Sequence, residues 1–434
     1  MNPDDRRHTS IKGDNRSPYQ RDRDRIIYSS LYRRLAGVTQ VVSALEGHVF
    51  HNRLTHTLKV AQIARRLSEH LKDQHQVGNQ VLDPDVAEAA AHAHDLGHPP
   101  FGHIGEIKLQ SLMRKYCGHD HFEGNAQSFR AVTKLARNST GYKGLDLTRR
   151  TLDAILKYPW QIDGEARNKW GAYAADSVDF QFARAAHDDS EQSLEAEIMD
   201  WADDITYAVH DTEDLIRAGL VSPNHLRTDT SYRQEFASWV HQRWLKRRQS
   251  TADPVASEAD ISNALDQITA LLPFSRSYTD STDDEGRLRK YSSHLISTYL
   301  RHNSQLEQND NGVWRLHVDS QARLEVDILK ELTWRYLIEG PSLAAQQHGQ
   351  ITVIENVFTI MFDAADENLQ TNSNILPIRA AESLESAKQL GEDSPSMRAR
   401  IVADAICAMT EDEILRFNAR LTGSSLGSVL DAIV

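Results

Sequence analysis

One stretch of the sequence concentrates side chains that could do chemistry. Residues 91–106, AHAHDLGHPPFGHIGE, contain four histidines, an Asp and a Glu, within about four helical turns. So dense a set of nitrogen and carboxylate groups is typical of a metal or catalytic site. A single buried histidine would more often be an interior group bonded to a backbone carbonyl, so it is the clustering that favours chemistry here.

The spacing within this stretch defines two pairs. His94 and Asp95 are neighbours, and their side chains would diverge by about 100° on a helix, so they can meet one ion only near a helix end. A glycine and a Pro-Pro pair directly beyond them supply that end. His103 and Glu106 are three residues apart and lie on one side of any helical turn that begins there. The pattern indicates an acid/base pair beside a metal.

The remaining ligands of such a site must come from elsewhere in the chain. His56 lies in the first turn of a helix predicted to begin at Arg53, and Asp203 lies on a long acidic helix. With His94-Asp95 they give two imidazoles and two carboxylates, a set suited to one divalent ion of Fe, Mn, Co or Mg type with open water positions. Zinc bound by thiolates is excluded, because no cysteine lies in these segments.

The long acidic helix is predicted from EAEIMDWADDITYAVHDTEDLIRAGL and is closed by Gly219. Asp203, Tyr207 and Asp211 recur at i, i+4 and i+8 and so form one ridge, while Asp204 points about 100° away. A run of charge is usually a solvated face, but the apolar residues between these positions mark much of the helix as buried. A buried Asp-Tyr-Asp ridge requires partners, and a metal would satisfy Asp203.

Lys157 allows two interpretations. It lies near the end of a helix that Pro159 is predicted to terminate. A lysine in that position either complements the helix dipole or contacts a phosphate. The residues around it favour neither role.

The composition predicts an all-α protein. Ala, Leu, Gln, Glu and Arg fill most windows, Gly and Pro are sparse, and the alternation typical of strands is nearly absent. The length of 434 residues predicts one large or two medium domains. The net charge of −13 argues against a general nucleic-acid coat, although local basic patches could still face phosphates.

Cysteine usage and hydropathy indicate the compartment. The chain has two cysteines and no CxxC motif, which excludes a disulfide scaffold and fits a reducing environment. The N-terminal segment lacks the apolar core of a signal peptide, and nowhere do eighteen apolar residues run together. We therefore expect a cytoplasmic protein without a membrane span.

Three regions are predicted along the chain. Residues 1–25 are rich in arginine and poor in apolar groups, which predicts a flexible, solvated N-terminal arm; alternatively, its arginines bind a neighbouring subunit or a nucleotide. Residues 26–220 contain the motifs above and form the predicted catalytic core. Residues 221–434 are predicted to form further helices, with polar surface insertions or mobile loops near residues 246–292.

The order His…His-Asp…Asp, with helical context around each part, resembles the HD-domain superfamily of metal-dependent phosphohydrolases. Longer strings look like its dGTPase-like branch, the deoxynucleoside triphosphate triphosphohydrolases: RLTHTLKVAQIARR, HDLGHPPFGHIGE, HFEGNAQSFR, LKYPW and MDWADDITYAVHDTEDL. The C-terminal half matches less closely. Its string DAICAMTED has Ala405 and Ala408 where the family usually has Tyr and Gly.

The resemblance implies a fold and an activity. The fold would be an HD-domain helical bundle with additional C-terminal helices. A metal and a positioned water would cleave dGTP or another dNTP at the α-phosphate, giving a deoxynucleoside and tripolyphosphate. Carried over by position, the ligands of one Mn, Mg, Fe or Co ion would be His56, His94, Asp95 and Asp203.

The resemblance also implies roles for the other polar residues. His103 would donate a proton or stabilise the leaving oxygen, and Glu106 would orient it. The remaining substrate contacts would come from side chains that touch either phosphate or sugar: Arg53, His98, Lys157 and Lys169 for the phosphates, and Gln40, Tyr207 and Asp211 for the deoxyribose.

The assembly of the protein and two alternative functions can also be considered from the sequence. The resemblance implies a homo-oligomer, a hexamer or a tetramer, in which a second dNTP can act as activator. One alternative is an HD enzyme for another phosphoester, such as a nucleoside monophosphate or a cyclic nucleotide. The other is a nucleotide-sensing regulatory protein whose basic arm binds single-stranded nucleic acid. The products distinguish these functions. The dNTP triphosphohydrolase would release tripolyphosphate, the other phosphoester enzyme would release orthophosphate, and the sensing protein would release no product.

Overall fold

The computed structural model is built almost entirely of helices, which confirms the expected all-α class. It describes residues 2–8, 15–41, 50–162, 168–187, 191–247, 255–366 and 373–425. These ranges contain eighteen α-helices and one two-stranded antiparallel sheet. Within them, no helix combines the length and the apolar character that a membrane crossing requires.

The helices divide into an N-terminal and a C-terminal set. The first set is α1 (Pro18–Ile27), α2 (Ser30–Arg34), α3 (Arg53–His75), α4 (Pro84–Ala93), α5 (Gly102–Cys117), α6 (Gly124–Arg130), α7 (Arg149–Ile155), α8 (Ser177–Arg184) and α9 (Leu194–Arg217). The second set, with its strands, is α10 (Pro223–Thr228), α11 (Thr230–Arg247), α12 (Glu258–Ala270), α13 (Thr282–Arg301), β1 (Ser304–Gln308), β2 (Trp314–Val318), α14 (Ser320–Thr333), α15 (Pro341–Ala364), α16 (Ile378–Gln389), α17 (Pro395–Ile406) and α18 (Glu411–Leu421).

The helices that carry the candidate site begin where the sequence predicts. Asn52 caps α3 by accepting from the amide of Thr55, and Asp83 caps α4 directly before Pro84. Both arrangements satisfy amides that a helix start leaves without a partner. Helix α9 begins after its cap Ser193 and ends shortly before Gly219, whose φ of 69° lies in the left-handed region that favours glycine.

The described residues form two large apolar cores and one small cluster of Ala126, Trp170 and Tyr173. The larger core packs α3, α4, α9 and α14 together. The second core lies between α5 and the C-terminal helices α15 and α17, and includes Phe101, Leu109 and Met113 from the α5 side. Helix α5 therefore joins the N-terminal part of the chain to the C-terminal helices.

Part of the segment 1–25, for which a flexible arm is predicted, is helical. Helix α1 begins inside that segment, where Ser17 and Gln20 form a capping box. Arg6 lies 2.5 Å from the Asp22 carboxylate, and Arg7 pairs with Asp179. These arginines are thus bound by acidic side chains of the same chain, a tertiary pairing that composition does not reveal.

The polar span 246–292 is also more regular than expected. Residues 248–254 lie outside the described ranges, but α12 and α13 occupy most of the remainder. A capping box of Ser257 and Asp260 starts α12, and Ile261 and Ile268 bury its apolar side in the larger core. These segments are surface helices with one packed face.

Candidate active site

Three segments that are far apart in sequence converge on one cleft. His56 lies in the first turn of α3, and Asp203 lies in the middle of α9. Helix α4 ends at Ala93, so His94 and Asp95 follow directly after its last residue. This is the helix end that the adjacent His-Asp pair requires.

The four candidate metal ligands come together in this cleft. Nε2 of His56 lies 3.0 Å from Oδ1 of Asp203, and Nε2 of His94 lies 3.7 Å from the same oxygen. The His94 Nε2 atom is 3.4 Å from Oδ2 of Asp95. The ligand atoms of His56, His94 and Asp95 all lie within 4.8 Å of one another. The two imidazoles and two carboxylates thus face a common point.

The residues present fit a divalent ion. Nδ1 of His94 lies 2.6 Å from the carbonyl oxygen of Ala91, which fixes the orientation of the ring. Its Nε2 is buried and has no hydrogen-bond partner among the residues that the structure describes. An unbonded buried nitrogen beside two carboxylates is costly unless it has a ligand to bind. Imidazole and carboxylate donors suit Mn, Fe, Co or Mg.

The electrostatics of the cluster are those of a cation site. Burial opposes ionisation of Asp95, but Arg53 and His94 hold the pKa of its carboxyl well below the usual range. Lys157 and His56 do the same to the pKa of Asp203. Burial alone would lower the pKa of His94, yet Asp95 and Asp203 raise it to about 9. Two carboxylates therefore stay ionised and attract positive charge.

Asp203 and Asp204 point to different partners, as their spacing predicts. Asp204 accepts from Nζ of Lys330 at 2.7 Å, away from the imidazoles. Lys157 lies 2.5 Å from Oδ1 of Asp200 and 3.2 Å from Oδ2 of Asp203. Since α7 ends at Ile155, the lysine lies beyond the last helical residue. Its ion pair with Asp203 is a role that the sequence did not suggest.

His103 and Glu106 form the pair that their spacing predicts. Nδ1 of His103 lies 2.9 Å from Oε2 of Glu106, whose other oxygen accepts from the amide of Gly124 at 3.0 Å. Burial opposes ionisation of Glu106, but His103 and His98 lower its pKa below the usual range. The His103 side chain is 65% exposed. An anchored carboxylate thus holds an imidazole that faces the open side of the cleft.

The proposed phosphate contacts lie around the same carboxylates. Nη1 of Arg53 is 2.7 Å from Oδ2 of Asp95, and Nδ1 of His98 is 3.0 Å from Oδ1 of the same carboxylate. The rings of His98 and His103 are 5.9 Å apart. Lys169 lies over the ring of Tyr158, 5.8 Å from its centroid, and interacts electrostatically with Glu106. Cationic groups therefore flank both the metal cluster and the His103 pair.

Of the three proposed sugar contacts, two share a cavity, and Tyr207 interacts electrostatically with one of them. Gln40 and Asp211 line one cavity of about 10 Å³, room for about one water molecule. A deoxyribose would enter only if the lining side chains moved. Tyr207 interacts electrostatically with Asp211, Asp203 and Arg53. Burial raises the pKa of Asp211 well above the usual range, with Asp214 and Asp203 adding to the shift.

Two groups near the cleft were missed by sequence reasoning. Burial raises the pKa of Glu123 to about 7, with the Glu106 carboxylate adding to the shift, and this side chain also caps α6. Its string HFEGN is the only signal that could have drawn attention to it. The other group is a bridge in which His51 lies 2.6 Å from the Asp214 carboxylate and Lys59 contacts the second ring nitrogen. Both depend on tertiary contacts.

Comparison with known proteins agrees with this geometry. Residues 53–208 match the model of the HD domain, and residues 316–420 match that of the phosphohydrolase-associated domain. The first range holds all four candidate metal ligands together with His103 and Glu106. The second range covers most of the C-terminal helices that pack on α5.

Full-length relatives extend the match. The deoxyguanosinetriphosphate triphosphohydrolase-like protein of Streptomyces coelicolor is 34% identical over 428 residues, covering 94% of this chain and 93% of the relative. The protein of the same name from Corynebacterium efficiens is 34% identical over 433 residues, covering 95% and 93%. The protein of that name from Shewanella pealeana is 32% identical over 461 residues, covering 97% of this chain and 95% of the relative. The chain is a phosphohydrolase and belongs to the family of deoxyguanosinetriphosphate triphosphohydrolase-like HD-domain proteins.

Proposed function

We propose that this chain hydrolyses deoxynucleoside triphosphates, dGTP or other dNTPs, to a deoxynucleoside and tripolyphosphate. The observation that carries the proposal is the pairing of two groups in one cleft: a cluster of two imidazoles and two carboxylates, and a His-Glu pair with 2.9 Å between its polar atoms. The names of the relatives support the choice of substrate.

The metal would be held by His56, His94, Asp95 and Asp203. When bound, a divalent ion would polarise the phosphoryl oxygen and lower the pKa of a bound water. Arg53 and Lys157 each pair with one of the ligand carboxylates, which keeps those carboxylates ionised and oriented. We propose that each site binds one divalent ion, which is Mn, Mg, Fe or Co.

His103 would supply the proton for the leaving oxygen. Because Nδ1 of its ring is engaged by Glu106, Nε2 is the nitrogen left to face the substrate. A positioned general acid of this kind avoids the release of an unprotonated alkoxide. His98, Arg53 and Lys169 would bind phosphate oxygens. Of these, the cations Arg53 and Lys169 would offset the charge of the triphosphate, since burial and Arg53 lower the pKa of His98.

Gln40, Tyr207 and Asp211 would bind the deoxyribose. Gln40 would contact the 3′-hydroxyl, and Tyr207 would pack beneath C2′. A ribonucleotide would bring an additional hydroxyl with no partner, at a cost of about 1 to 3 kcal/mol. Ribonucleotides are therefore expected to react about tenfold to a hundredfold more slowly.

Assembly, regulation and location are further parts of the proposal. We expect a cytoplasmic homo-oligomer, a hexamer or tetramer, in which a second dNTP can activate hydrolysis of the first. The alternatives are an HD enzyme for another phosphoester and a regulatory protein that binds single-stranded nucleic acid. The pairing of Arg6 and Arg7 with carboxylates of the same chain weighs against a nucleic-acid role for the arm.

Product analysis tests the proposal. The protein is incubated with each dNTP, alone and in pairs, and with GTP, in the presence of Mn or Mg, and the products are separated by chromatography. We expect a deoxynucleoside and tripolyphosphate, with GTP cleaved slowly. Orthophosphate release from monophosphates alone would support the other phosphoester enzyme, and an absence of product from every combination would support sensing.

A further inference from the structure

The first residue of α18 reaches the active site from the far end of the chain. Glu411 is 2% exposed. Its Oε1 accepts from the amide of Thr39 at 2.7 Å and from the amide of Phe101 at 3.1 Å. These partners are 372 and 310 residues away in sequence. One carboxylate oxygen from the C-terminal region therefore joins two backbone segments of the catalytic region.

Each of the two segments leads directly to a proposed functional residue. Thr39 precedes Gln40, the proposed contact of the sugar. Phe101 precedes α5 and lies two residues before His103. Its φ of 66° is in the left-handed region that a bulky residue seldom adopts, so surrounding contacts must hold it there.

The same end of α18 packs closely against both segments. A Cβ on Gly37 would lie 2.8 Å from Cβ of Thr410, the residue that caps α18. A Cβ on Gly102 would lie 3.4 Å from the carbonyl oxygen of Thr39. The two segments thus lie within van der Waals distance of each other, and the approach of Gly37 to Thr410 leaves no room for a Cβ.

Arg34 forms a second link of the same kind. Its buried guanidinium donates to the carbonyl oxygen of Met409 at 2.9 Å and to that of Leu96 at 3.3 Å, and it also bonds the carbonyl oxygen of His98. Charged side chains therefore connect the start of α18 to the segment that contains the His-Asp pair as well as to the two segments above.

Glu411 differs from the other acidic residues in the first turn of α18. Glu413 completes a capping box with Thr410, bonding its amide at 2.7 Å. That bond lies within the start of the helix itself. Glu411 instead uses its carboxylate on backbone donors outside the helix, and a buried carboxylate is stabilised well by such charge-assisted bonds.

We propose that Glu411 is a positioning residue for hydrolysis, which sets the distance between the Gln40 segment and the His103 helix. The inference rests on the proposed function, since it gives those two residues the sugar and the leaving oxygen. A nucleotide must be held at both points at once, and a displacement of about 1 Å can cost about a hundredfold in rate. The C-terminal region is then part of the catalytic unit.

Three variants test the proposal kinetically. Glu411→Ala removes the acceptor, so kcat should fall and KM should rise, with kcat/KM lower by about tenfold to a hundredfold. Glu411→Gln keeps an Oε1 that can accept both bonds and should restore most of kcat/KM. Glu413→Ala, the matched control, removes a cap of the same helix and should lower the melting temperature but leave kcat/KM near the parent value. Metal content should be unchanged in all three.

Hydrogen exchange provides a readout that is independent of activity. In Glu411→Ala the amides of Thr39 and Phe101 should exchange faster than in the parent, while Glu413→Ala should leave them protected. If the parent hydrolyses no dNTP, the proposed function fails, and exchange still decides whether Glu411 holds the Thr39 and Phe101 segments. If Glu411→Ala does not fold, Glu411→Asp, which withdraws the carboxylate by one methylene, gives the same comparison.

Three results would overturn the proposal. The first is a Glu411→Ala variant whose amide exchange and kcat/KM equal those of the parent. The second is an equal kinetic defect in Glu413→Ala at an equal melting temperature, which would mean that Glu411 acts only through stability. The third is a Glu411→Gln variant as impaired as Glu411→Ala, which would contradict the acceptor role.

Discussion

The direction of single side chains decides the chemistry of this cleft. Asp203 and Asp204 are neighbours of the same type, yet one faces two imidazoles and the other faces Lys330. The rotation of about 100° per residue in a helix is sufficient to separate them. Spacing along α9 is therefore enough to distinguish the inward carboxylate from its neighbour.

We expect metal binding to depend on Asp203 and not on Asp204. Asp203→Ala removes one carboxylate of the proposed ligand set, so the metal content of the purified protein should fall. Asp204→Ala is the matched control and should retain the metal, because its partner is Lys330. Elemental analysis of both variants checks this, and equal retention would remove Asp203 from the site.

We expect His103→Ala to keep its metal and to lose turnover. The imidazole is held by Glu106 and not by the metal cluster, and loss of a positioned acid typically costs about 10² to 10⁴ in rate. Glu106→Gln should show a milder loss, since it misorients the ring without deleting it. Metal content and kcat are measured together; loss of metal in His103→Ala, or a parental rate, would refute this role and direct attention to His98 or His121.

Some residue-level contacts were beyond sequence reasoning. The ion pair of Lys157 with Asp203 joins α9 to the segment after α7. Glu411 bonds two residues that each lie more than 300 positions from it in sequence. Periodicity reports only which residues share a face of one element. Contacts between elements depend on how the elements pack, so these partners could not be predicted.

At the scale of elements, close backbone approach shapes the site. The turn after α4 lies directly against α6: the amide of Gly97 bonds Oγ of Ser128 at 3.0 Å, and that hydroxyl donates to the carbonyl oxygen of His94 at 2.6 Å. A Cβ on Gly97 would lie 2.1 Å from the amide nitrogen of Ser128. Glycine here permits the packing that fixes the His-Asp pair.

We expect Gly97→Ala to destabilise the fold. The added methyl group meets backbone atoms that cannot move aside, and overpacking of this kind costs about 1 to 3 kcal/mol in the free energy of unfolding. Gly349→Ala in α15 is the matched control, because a Cβ there would meet no atom of the described chain within 4 Å, and it should stabilise by about 0.5 to 1 kcal/mol. Urea unfolding measures both, and an unchanged Gly97→Ala would contradict the packing.

Helices whose ends carry a capping residue or a closing glycine were predictable from the sequence. Elements that lack such residues were not predictable. The cap of α4 at Asp83-Pro84 and the end of α9 near Gly219 carried such signals. The hairpin of β1 and β2 did not, because Ser304–Gln308 has a largely exposed pattern in which few apolar residues alternate. Helices α12 and α13 are polar on most of their surface and so resemble loops in composition.

At the scale of the whole molecule, α5 connects the candidate site to the C-terminal core. Its N-terminal turn carries His103 and Glu106, and its apolar side packs in the C-terminal core through Leu109 and Met113. The all-α class followed from composition, but this arrangement did not, because composition contains no information about which helices pack together. The C-terminal half therefore seemed unrelated to the site from sequence alone.

We expect a homo-oligomer, a hexamer or a tetramer, in solution. Family resemblance is the basis of this expectation. Light scattering at micromolar concentration should give four or six times the chain mass of 49.1 kDa. A fully active species with the mass of one chain would contradict it.

The central claim is that the cleft directs water to the α-phosphorus of a dNTP, and isotope labelling tests it most directly. Hydrolysis of dGTP in water enriched in oxygen-18 is followed by mass spectrometry of both products. Attack at the α-phosphorus with loss of the nucleoside oxygen, which His103 would protonate, places one labelled oxygen in tripolyphosphate and none in deoxyguanosine. Label in the 5′-hydroxyl of deoxyguanosine, or in orthophosphate released from the γ-position, would contradict the account.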